Sequence, residues 1–244
     1  MNVWPITDRG AVRQQNQDAC RVEILSPEQI LLMVCDGMGG ARAGNIASEL
    51  AVSAFGDAVL ERLNDPERAG DDPGALLVES VDTANRVVCR RANTDPACLG
   101  MGTTLVAALV TEQTCYVVNV GDSRGYLVST EGIRRITRDH SLVEDLVERG
   151  EITPEQARTH PQKNLITRAL GTGETARADL FREPRVPGAF LLLCSDGLSN
   201  VVTDQEILYE IIHGGEPSDC CKRLLDTALQ RGAPDNVTAV LLQM

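Results

Sequence analysis

The sequence predicts an α+β fold, in which antiparallel sheets carry helices on their outer faces. Strand-like apolar runs are grouped at the beginning, middle and end of the chain, and segments with helical periodicity lie between these groups. Three helix starts carry the Ser/Thr-x-x-Glu/Gln capping pattern, at Ser141, Thr153 and Thr203. No linker divides the 244 residues, so one globular domain, 1–244, is expected.

The individual elements follow from hydrophobic periodicity and turn residues. Eight aliphatic and β-branched runs are predicted to be strands: 3–7, 19–24, 30–35, 103–111, 115–120, 125–129, 190–194 and 237–242. The fourth, fifth and sixth of these runs are predicted to form a meander. Six segments are predicted to be helices: 44–63, 75–91, 142–149, 154–158, 204–212 and 218–231. Residues 141–175 have little other apolar periodicity and are expected to form an excursion lying on the main body.

The composition excludes several classes of function. The net charge of −12 argues against duplex nucleic acid and anionic membranes as partners, because both require a basic surface. The 8 cysteines include no CxxC pair and only 3 histidines are present, which argues against zinc and favours reduced thiols in the core. No apolar run approaches the ~20 residues of a membrane span and no secretion signal is visible, so a cytoplasmic protein is expected.

Four aspartates stand at turns that begin or end apolar runs, far apart in the sequence: Asp36, Asp122, Asp196 and Asp235. One Asp-Gly step is usually only a turn, but four carboxylates delivered by strand ends indicate a common site. Converging carboxylates repel one another and need a cation between them. Because oxygen ligands favour hard ions, the pattern predicts a Mg²⁺ or Mn²⁺ site, which the carbonyl of Gly37 can also approach.

A second element of the predicted site is the segment TDRGAVRQQNQDAC, in which Arg13 and Asp18 flank a polar run. A guanidinium group can hold a phosphate through two parallel hydrogen bonds. An acidic metal site with an arginine beside it suits a phosphate ester, because the metals neutralise some phosphoryl oxygens and the arginine holds the others. Arg13 is therefore a candidate phosphate-binding residue.

Other phosphate chemistries lack their motifs in this chain. The glycine-rich stretch at 37–44 has no Gly-Lys-Ser/Thr and has Arg42 where a dinucleotide fingerprint needs its third glycine. No cysteine has an arginine six residues later, as a cysteine-dependent phosphatase requires, and the DxDx[TV] aspartyl-phosphate pattern is absent. With 3 histidines, the histidine-rich centre of calcineurin-like enzymes could hardly be supplied.

Seven segments resemble, in order, the motifs of the PPM (PP2C-type) metal-dependent protein phosphatases, especially the compact bacterial members. They are TDRGAVRQQNQD, VCDGMGGARAGNIAS, MGTTLVAALV, NVGDSRGYLV, ITRDHSLVEDLVERGEITPEQARTHPQKNLITRALG, LLLCSDGLSN and GAPDNVTAVLL. The resemblance runs from about Thr7 to Leu242, nearly the whole chain. It implies a PP2C-like four-layer α-β-β-α sandwich, two antiparallel sheets flanked by helix pairs, with residues 141–175 as a flap subdomain that influences substrate choice.

The resemblance also implies a centre of two Mn²⁺ or Mg²⁺ ions with a possible third, whose ligands match Asp18, Asp36, Gly37, Asp122, Asp196 and Asp235. Among these, Asp18 would act directly or through water, and Asp122 with Asp196 matches the third site of bacterial members. Arg13 matches the phosphate-binding arginine. The implied reaction is hydrolysis of phosphoserine or phosphothreonine by direct attack of a metal-activated water, without a covalent intermediate.

The proton donor for the leaving alkoxide is where this chain departs from the family. Some members have histidine at the position of Met38, many bacterial members have histidine at the position of Ala41, and glutamate is frequent at the position of Asn45. The remaining candidates are His160, which matches a flap histidine of bacterial members and is preferred, His140 at the root of the flap, and a metal-bound water.

The expected function is that of an active protein serine/threonine phosphatase, because all the expected aspartates are present. The alternative is a catalytically inactive phosphatase-fold protein that binds phosphoproteins as a regulator. Compact bacterial members commonly oppose a Hanks-type Ser/Thr kinase; type VI secretion control, with a phosphothreonine on a forkhead-associated scaffold protein as target, is one such setting. Nothing in the sequence demands more than a monomer.

Overall fold

The structure is a computed structural model that describes residues 1–39, 43–68 and 70–244. Ala41, at the position of a family histidine, and Arg42, in the glycine-rich stretch, lie outside the described residues. The described chain contains eleven strands: β1 (Asn2–Asp8), β2 (Asp18–Ser26), β3 (Gln29–Met38), β4 (Gly102–Thr103), β5 (Leu105–Val110), β6 (Thr114–Val120), β7 (Arg124–Ser129), β8 (Gly132–Arg135), β9 (Asp179–Pro184), β10 (Phe190–Cys194) and β11 (Val237–Gln243). Its α-helices are α1 (Gly44–Leu63), α2 (Pro73–Thr94), α3 (Leu142–Glu148), α4 (Pro154–Arg158), α5 (Asp196–Ser199), α6 (Asp204–His213) and α7 (Cys220–Gln230).

The strands form two antiparallel sheets. Sheet I has the strand order β1-β11-β10-β7-β8, and sheet II has the order β2-β3-β5-β6-β9, with β4 paired to β3. The central strand β3 is buried on both faces: Ile30, Leu32 and Val34 point into the apolar layer between the sheets, whereas Leu31 and Met33 point to the helices. This double burial explains why the run around β3 is continuously apolar and not alternating.

Two helix pairs form the outer layers. Helices α1 and α2 cover sheet II, where Phe55 and Val81 are buried with the outward side chains of β3 and β5. Helices α6 and α7 cover sheet I, where Ile207 and Leu224 are buried with Leu192 of β10. The predicted four-layer sandwich of two antiparallel sheets flanked by helix pairs is therefore confirmed.

The predicted meander is wrong at its second step. Strands β5 and β6 pair as expected, but β7 pairs with β10 and β8 in the other sheet. The turn at Gly121 is thus a crossing between sheets. Strands β8 and β9 were not predicted, because both are short edge strands whose charged residues hide any apolar alternation; β9 ends in Pro184, a residue that edge positions tolerate.

Two of the three predicted capping boxes form in full, at Thr153 and at Thr203. At Ser141 only half of the box forms: the Ser141 hydroxyl accepts the amide of Glu144, but the Glu144 carboxylate pairs with Arg135 instead of returning to the helix start. The predicted strand 103–111 is also interrupted, at Thr104, where it meets the site described below.

Candidate metal centre

The predicted acidic residues meet at one end of the sandwich. Asp18 begins β2 and Asp36 lies near the end of β3, both in sheet II. Asp196 follows β10 and Asp235 precedes β11, both in sheet I, and Asp122 lies in the crossing between β6 and β7. We call these five residues the carboxylate cluster. Both sheets and one crossing between them therefore contribute to a single site.

Asp18 and Asp36 are direct partners across the β2–β3 ladder, so their side chains emerge on the same face. Burial is the main reason that the pKa of Asp36 is raised well above its usual value, and the negative charge of Asp18 adds to the effect. Burial also raises the pKa of Asp18 to about 7, although the Ser195 hydroxyl donates to its Oδ2 at 2.7 Å and offsets part of the shift. Without a cation, these carboxyl groups favour their neutral form.

Asp196 and Asp122 show the same effect from the other side of the cluster. Burial and the charge of Asp235 raise the pKa of Asp196, whose carboxyl group is also hydrogen-bonded to that of Asp36. Burial and the charge of Asp196 raise the pKa of Asp122 well above its usual value. Mutual repulsion of this kind is relieved either by protons or by a cation.

The donor atoms fit a hard divalent cation. Oδ1 of Asp18 and Oδ1 of Asp196 are buried without a hydrogen-bond partner, so each is an acceptor open to a ligand. Over the described ranges, no three or more Asp, Glu, His or Cys side chains form, as positioned, a group that could hold a metal ion. Ions such as Mg²⁺ take oxygen ligands and retain several waters, so an incomplete protein ligand set is compatible with them.

Both Asp-Gly steps require glycine because another chain segment passes close by. A Cβ on Gly37 would lie 2.0 Å from the carbonyl oxygen of Gly44, and a Cβ on Gly197 would lie 1.8 Å from that of Asn236. The main chain at each aspartate is therefore packed directly against a second backbone. This packing fixes the points from which Asp36 and Asp196 project.

Arg13 lies beside the cluster and contacts Asp235. Its Nη2 donates to Asp235 Oδ2 at 2.7 Å, while its side chain remains 52% exposed. The hydrogen bond to Asp235 is the main reason that the pKa of Arg13 is raised, so the guanidinium is charged throughout the physiological range. The structure thus brings Arg13, the predicted phosphate-binding residue, into direct contact with Asp235, a predicted metal ligand.

The cluster opens into a cavity of about 730 Å³. Its lining includes Arg13, Asp36, Gly37, Asp122, Asp196 and Asp235, together with Asn164 and Ile166 from the segment 141–175. A second cavity, of about 380 Å³, shares Asp122 and Asp196 with the first and extends between the main body and the short helices α3 and α4. The segment predicted as an excursion therefore borders the site.

The two candidate histidines occupy different environments. His160 follows α4, is half-buried, and is not among the residues that line either cavity. Its Nδ1 accepts the amide of Gln162 at 3.1 Å. His140 is 2% exposed, and both of its ring nitrogens lie within hydrogen-bonding distance of protein groups. The structure therefore does not place either imidazole against the carboxylate cluster.

Several supporting residues were not anticipated. Thr104 accepts the amide of Asp36 at 2.9 Å, and its hydroxyl lies 2.7 Å from that of Ser123, next to Asp122. Asn236 holds the loop that carries Arg13, because its side chain bonds the backbone of residues 9, 15 and 17. Hydroxyl and amide groups of this kind give no periodic signal. Only the adjacency of Ser195 and Asn236 to the predicted ligands Asp196 and Asp235 could have suggested their role.

The remaining sequence expectations concern thiols and membranes. All 8 cysteines are free, and six of them are buried. Burial raises the pKa of the Cys115 and Cys194 thiols to about 12, so they behave as small apolar side chains. Of the helices that the structure describes, none has the length and apolar character needed to cross a bilayer.

Comparison with known proteins identifies the class to which this fold and site belong. The profile of protein phosphatase 2C matches residues 10–237. The chain belongs to this family, as the bacterial PPM phosphatases do.

Individual relatives show how complete the similarity is. The serine/threonine phosphatase stp of Listeria innocua is 38% identical over 238 residues, covering 97% of this chain and 93% of that protein. The serine/threonine protein phosphatase PstP of Mycobacterium tuberculosis is 41% identical over 239 residues, covering 96% of this chain and 43% of that protein. A crystal structure of the PstP catalytic domain in complex with two manganese ions has a TM-score of 0.84 at 37% identity, covering 98% of this chain and 96% of that chain.

Proposed function

We propose that this protein is an active, Mn²⁺- or Mg²⁺-dependent protein phosphatase that hydrolyses phosphoserine and phosphothreonine by direct attack of a metal-activated water. The observation that carries the proposal is the carboxylate cluster, in which buried aspartates raise one another's pKa and leave two oxygens without partners. The names of the relatives, and the two manganese ions in the PstP structure, support the same reading.

The carboxylate cluster and the Gly37 carbonyl would hold the ions, and Asp122 with Asp196 would hold a third. When bound, a pair of divalent ions lowers the pKa of a water and neutralises phosphoryl oxygens. The chain itself contributes rigid placement: Thr104 fixes the backbone of Asp36, and Ser195 fixes the carboxylate of Asp18. Rigid placement matters because misplacing a ligand by about 1 Å can cost two orders of magnitude in rate.

Arg13 would bind the phosphoryl group at the mouth of the cavity. It is charged, half-exposed and held at the cluster by Asp235, so a phosphate that reaches the ions also reaches the guanidinium. An arginine in this place stabilises the charge that develops on the non-bridging oxygens. Its contact with Asp235 also keeps its side chain from searching many rotamers before substrate arrives.

His160 is our proposed proton donor or substrate contact. Its Nδ1 accepts a backbone amide, which leaves Nε2 as the nitrogen that can carry and donate a proton. His140 is less suited to this role, because its ring is buried and engaged on both sides. A water bound at the centre is the alternative donor.

We propose that residues 141–175 form a flap that contributes to substrate choice, since Asn164 and Ile166 reach the cavity that holds the cluster. The natural substrates would then be phosphoproteins produced by a cognate Ser/Thr kinase in the cytoplasm, with type VI secretion control as one such setting. A monomer suffices for this chemistry, because one chain supplies every residue named above.

The deciding experiment is metal-dependent hydrolysis of p-nitrophenyl phosphate and of a phosphothreonine peptide. Metal-stripped protein should be inactive, Mn²⁺ should restore turnover, and Asp36→Asn should lower turnover by more than about a hundredfold, because the variant loses an anionic ligand. Glu49→Gln, a change on the exposed face of α1, is the matched control and should keep full activity. Normal activity in Asp36→Asn would remove the metal-centre argument.

The rival function, an inactive phosphatase fold that binds phosphoproteins, predicts the opposite result. Such a protein would bind the phosphopeptide without turnover at any Mn²⁺ concentration. The presence of every aspartate expected for an active member argues against it: Asp36, Asp122, Asp196 and Asp235 line the cavity, and Asp18 pairs with Asp36 across the β2–β3 ladder.

A further inference from the structure

His140 lies where three parts of the molecule meet. Its backbone amide donates to the carbonyl of Gly121 at 2.9 Å, and its own carbonyl accepts the amide of Thr167 at 2.8 Å. Next to it, Ser141 and Ile166 form an isolated antiparallel bridge. The residue therefore stands at the point where the segment 141–175 leaves the body, and the returning chain pairs with it there.

The imidazole ring extends this connection in two directions. Nδ1 accepts the amide of Gly121 at 3.1 Å. Nε2 lies 3.1 Å from Oδ2 of Asp179 on β9 and 3.1 Å from Nη1 of Arg168. The same Arg168 nitrogen donates to the other oxygen of the Asp179 carboxylate at 2.8 Å. Because Nδ1 must keep its lone pair to accept an amide, the proton sits on Nε2 and is donated to Asp179.

The charges around the ring support this tautomer. Burial lowers the pKa of His140, so the ring is neutral near neutral pH and retains the Nδ1 acceptor. Burial acts to raise the pKa of Asp179, but the hydrogen bonds from His140 and Arg168 outweigh it and hold that pKa below its usual value. A neutral donor facing a fully ionised carboxylate makes a charge-assisted hydrogen bond.

Gly121 is the residue immediately before Asp122, and its conformation is constrained. Its φ is +109°, and a Cβ there would lie 2.5 Å from the Thr104 side chain. The contacts from His140 to both its amide and its carbonyl hold this turn in place. The direction in which Asp122 points toward the cluster therefore depends on the His140 ring.

We propose that His140 is a positioning residue with two separable tasks: Nδ1 sets the turn that presents Asp122, and Nε2 anchors the base of the segment 141–175 to β9 through Asp179 and Arg168. The inference rests on the proposed function, because Asp122 is there a metal ligand and the segment a substrate-selecting flap. It goes further by giving one side chain a part in both metal binding and substrate selection.

Substitutions of His140 by Asn and by Gln separate the task of Nδ1 from that of Nε2. In His140→Asn, the amide oxygen can occupy the place of Nδ1, but the side chain is too short to reach Asp179. In His140→Gln, the terminal amide can reach the place of Nε2, but the acceptor beside Gly121 is lost. Two properties would be compared in the wild type, both variants and His140→Ala. The first is Mn²⁺ binding, measured from the electron paramagnetic resonance signal of free Mn²⁺. The second is the KM for a phosphothreonine peptide and for p-nitrophenyl phosphate.

The expected results differ between the variants. His140→Gln should weaken the lowest-affinity Mn²⁺ site by about five- to tenfold, the size of one lost buried hydrogen bond, and leave the peptide KM little changed. His140→Asn should keep Mn²⁺ affinity and raise the KM for a phosphothreonine peptide by about fivefold, with p-nitrophenyl phosphate unaffected. His140→Ala should show both defects. The proposal would be overturned if the Asn and Gln variants showed the same loss of Mn²⁺ affinity and the same rise in peptide KM, or if neither variant showed any change.

A measurement on the wild type guards against variants that do not fold. The ¹⁵N chemical shifts of His140 should show Nε2 protonated and Nδ1 unprotonated; the opposite tautomer would also overturn the proposal. These readouts do not depend on turnover. A wild-type protein that binds Mn²⁺ but hydrolyses neither substrate would refute the proposed function, while the tautomer and the Mn²⁺ affinities would still decide the role of His140.

Discussion

The carboxylate cluster and the segment 141–175 share a cavity but are built in opposite ways. Asp18 is 8% exposed, and the buried Ser195 hydroxyl donates to its carboxylate. The buried Thr104 hydroxyl accepts the amide of Asp36 and lies against the hydroxyl of Ser123. In the segment, α3 contributes only Val143 to the buried residues and α4 contributes none. The aspartates of the carboxylate cluster are thus held by the core, whereas the groups that border the cavity opposite them are held mainly by local caps and a few backbone hydrogen bonds.

This difference has a functional meaning. Groups that must bind small ions need fixed positions, which strand ends and buried hydrogen bonds supply. A surface that must adapt to different protein substrates benefits from few buried contacts, because segments of that kind open at low free-energy cost. Three experiments test whether the two regions really divide the work in this way.

The largest expected effect concerns pH and metal-free stability. The pKa of Asp18 is about 7 in the folded protein against an ordinary value of 3.8, and the pKa values of Asp36, Asp122 and Asp196 are raised as well. A raised carboxyl pKa contributes stability that is complete below the unfolded pKa and is lost as pH rises through the folded pKa. The Tm of metal-free protein should therefore fall by about 5 °C or more between pH 5 and pH 8.

Saturating Mn²⁺ should abolish that fall, because the cation replaces the protons. The change Asp36→Asn should reduce it, since one of the repelling charges is gone. The Glu206 carboxylate, whose pKa is lowered by its hydrogen bond with Arg231, titrates below this pH window and does not contribute to the fall. A Tm that is flat from pH 5 to pH 8 without metal would mean that the cluster is not strained by its own charges.

The next effect concerns Arg13, at the mouth of the cluster. Arg13→Ala should raise the KM for p-nitrophenyl phosphate by about tenfold, because a charge-assisted hydrogen bond to phosphate is lost, with a smaller change in turnover. Arg9→Ala is the matched control, since Arg9 is an exposed arginine of the same loop that does not line the cavity. Equal effects of the two substitutions would indicate a general electrostatic contribution and not a specific phosphate contact.

The smallest expected effect concerns the capping box, which occurs both in the core and in the segment 141–175. Thr203 and Thr153 each form a full capping box, but α6 packs Ile207 and Ile211 into the core whereas α4 buries nothing. Thr203→Ala should therefore lower the free energy of unfolding by about 1 kcal/mol. Thr153→Ala should leave global stability unchanged and increase only the hydrogen exchange of residues 154–158. If both variants lower Tm equally, the segment folds as part of the core and the contrast drawn above is wrong.

The fold was largely predictable because the hydrophobic periodicity of the sequence indicates its core strands and helices. The bounds of α1, α4 and β10 match the predicted ones. Strands β8 and β9 escaped prediction because edge strands carry charges in place of alternation. The crossing at Gly121 escaped because a tight turn between apolar runs looks the same whether the second run stays in the sheet or leaves it.

The sequence was sufficient to predict the charged residues of the site, but not the hydroxyl residues that hold them in place. Aspartates that follow apolar runs are visible in the sequence, and all of them do meet at one cavity. The roles of Thr104 and Ser195 depend on which hydroxyl lies behind which carboxylate, a relation set by tertiary packing alone. The same is true of His140, whose partners lie 19 and 39 residues away.

Because Asp18 and Asp36 belong to sheet II while Asp196 and Asp235 flank strands of sheet I, any ion shared by the two pairs fastens one half of the sandwich to the other. Removing the ion by chelation would then also weaken the contact between the two sheets. Loss of the ion would then leave a protein whose two sheets separate more readily and which proteases degrade faster.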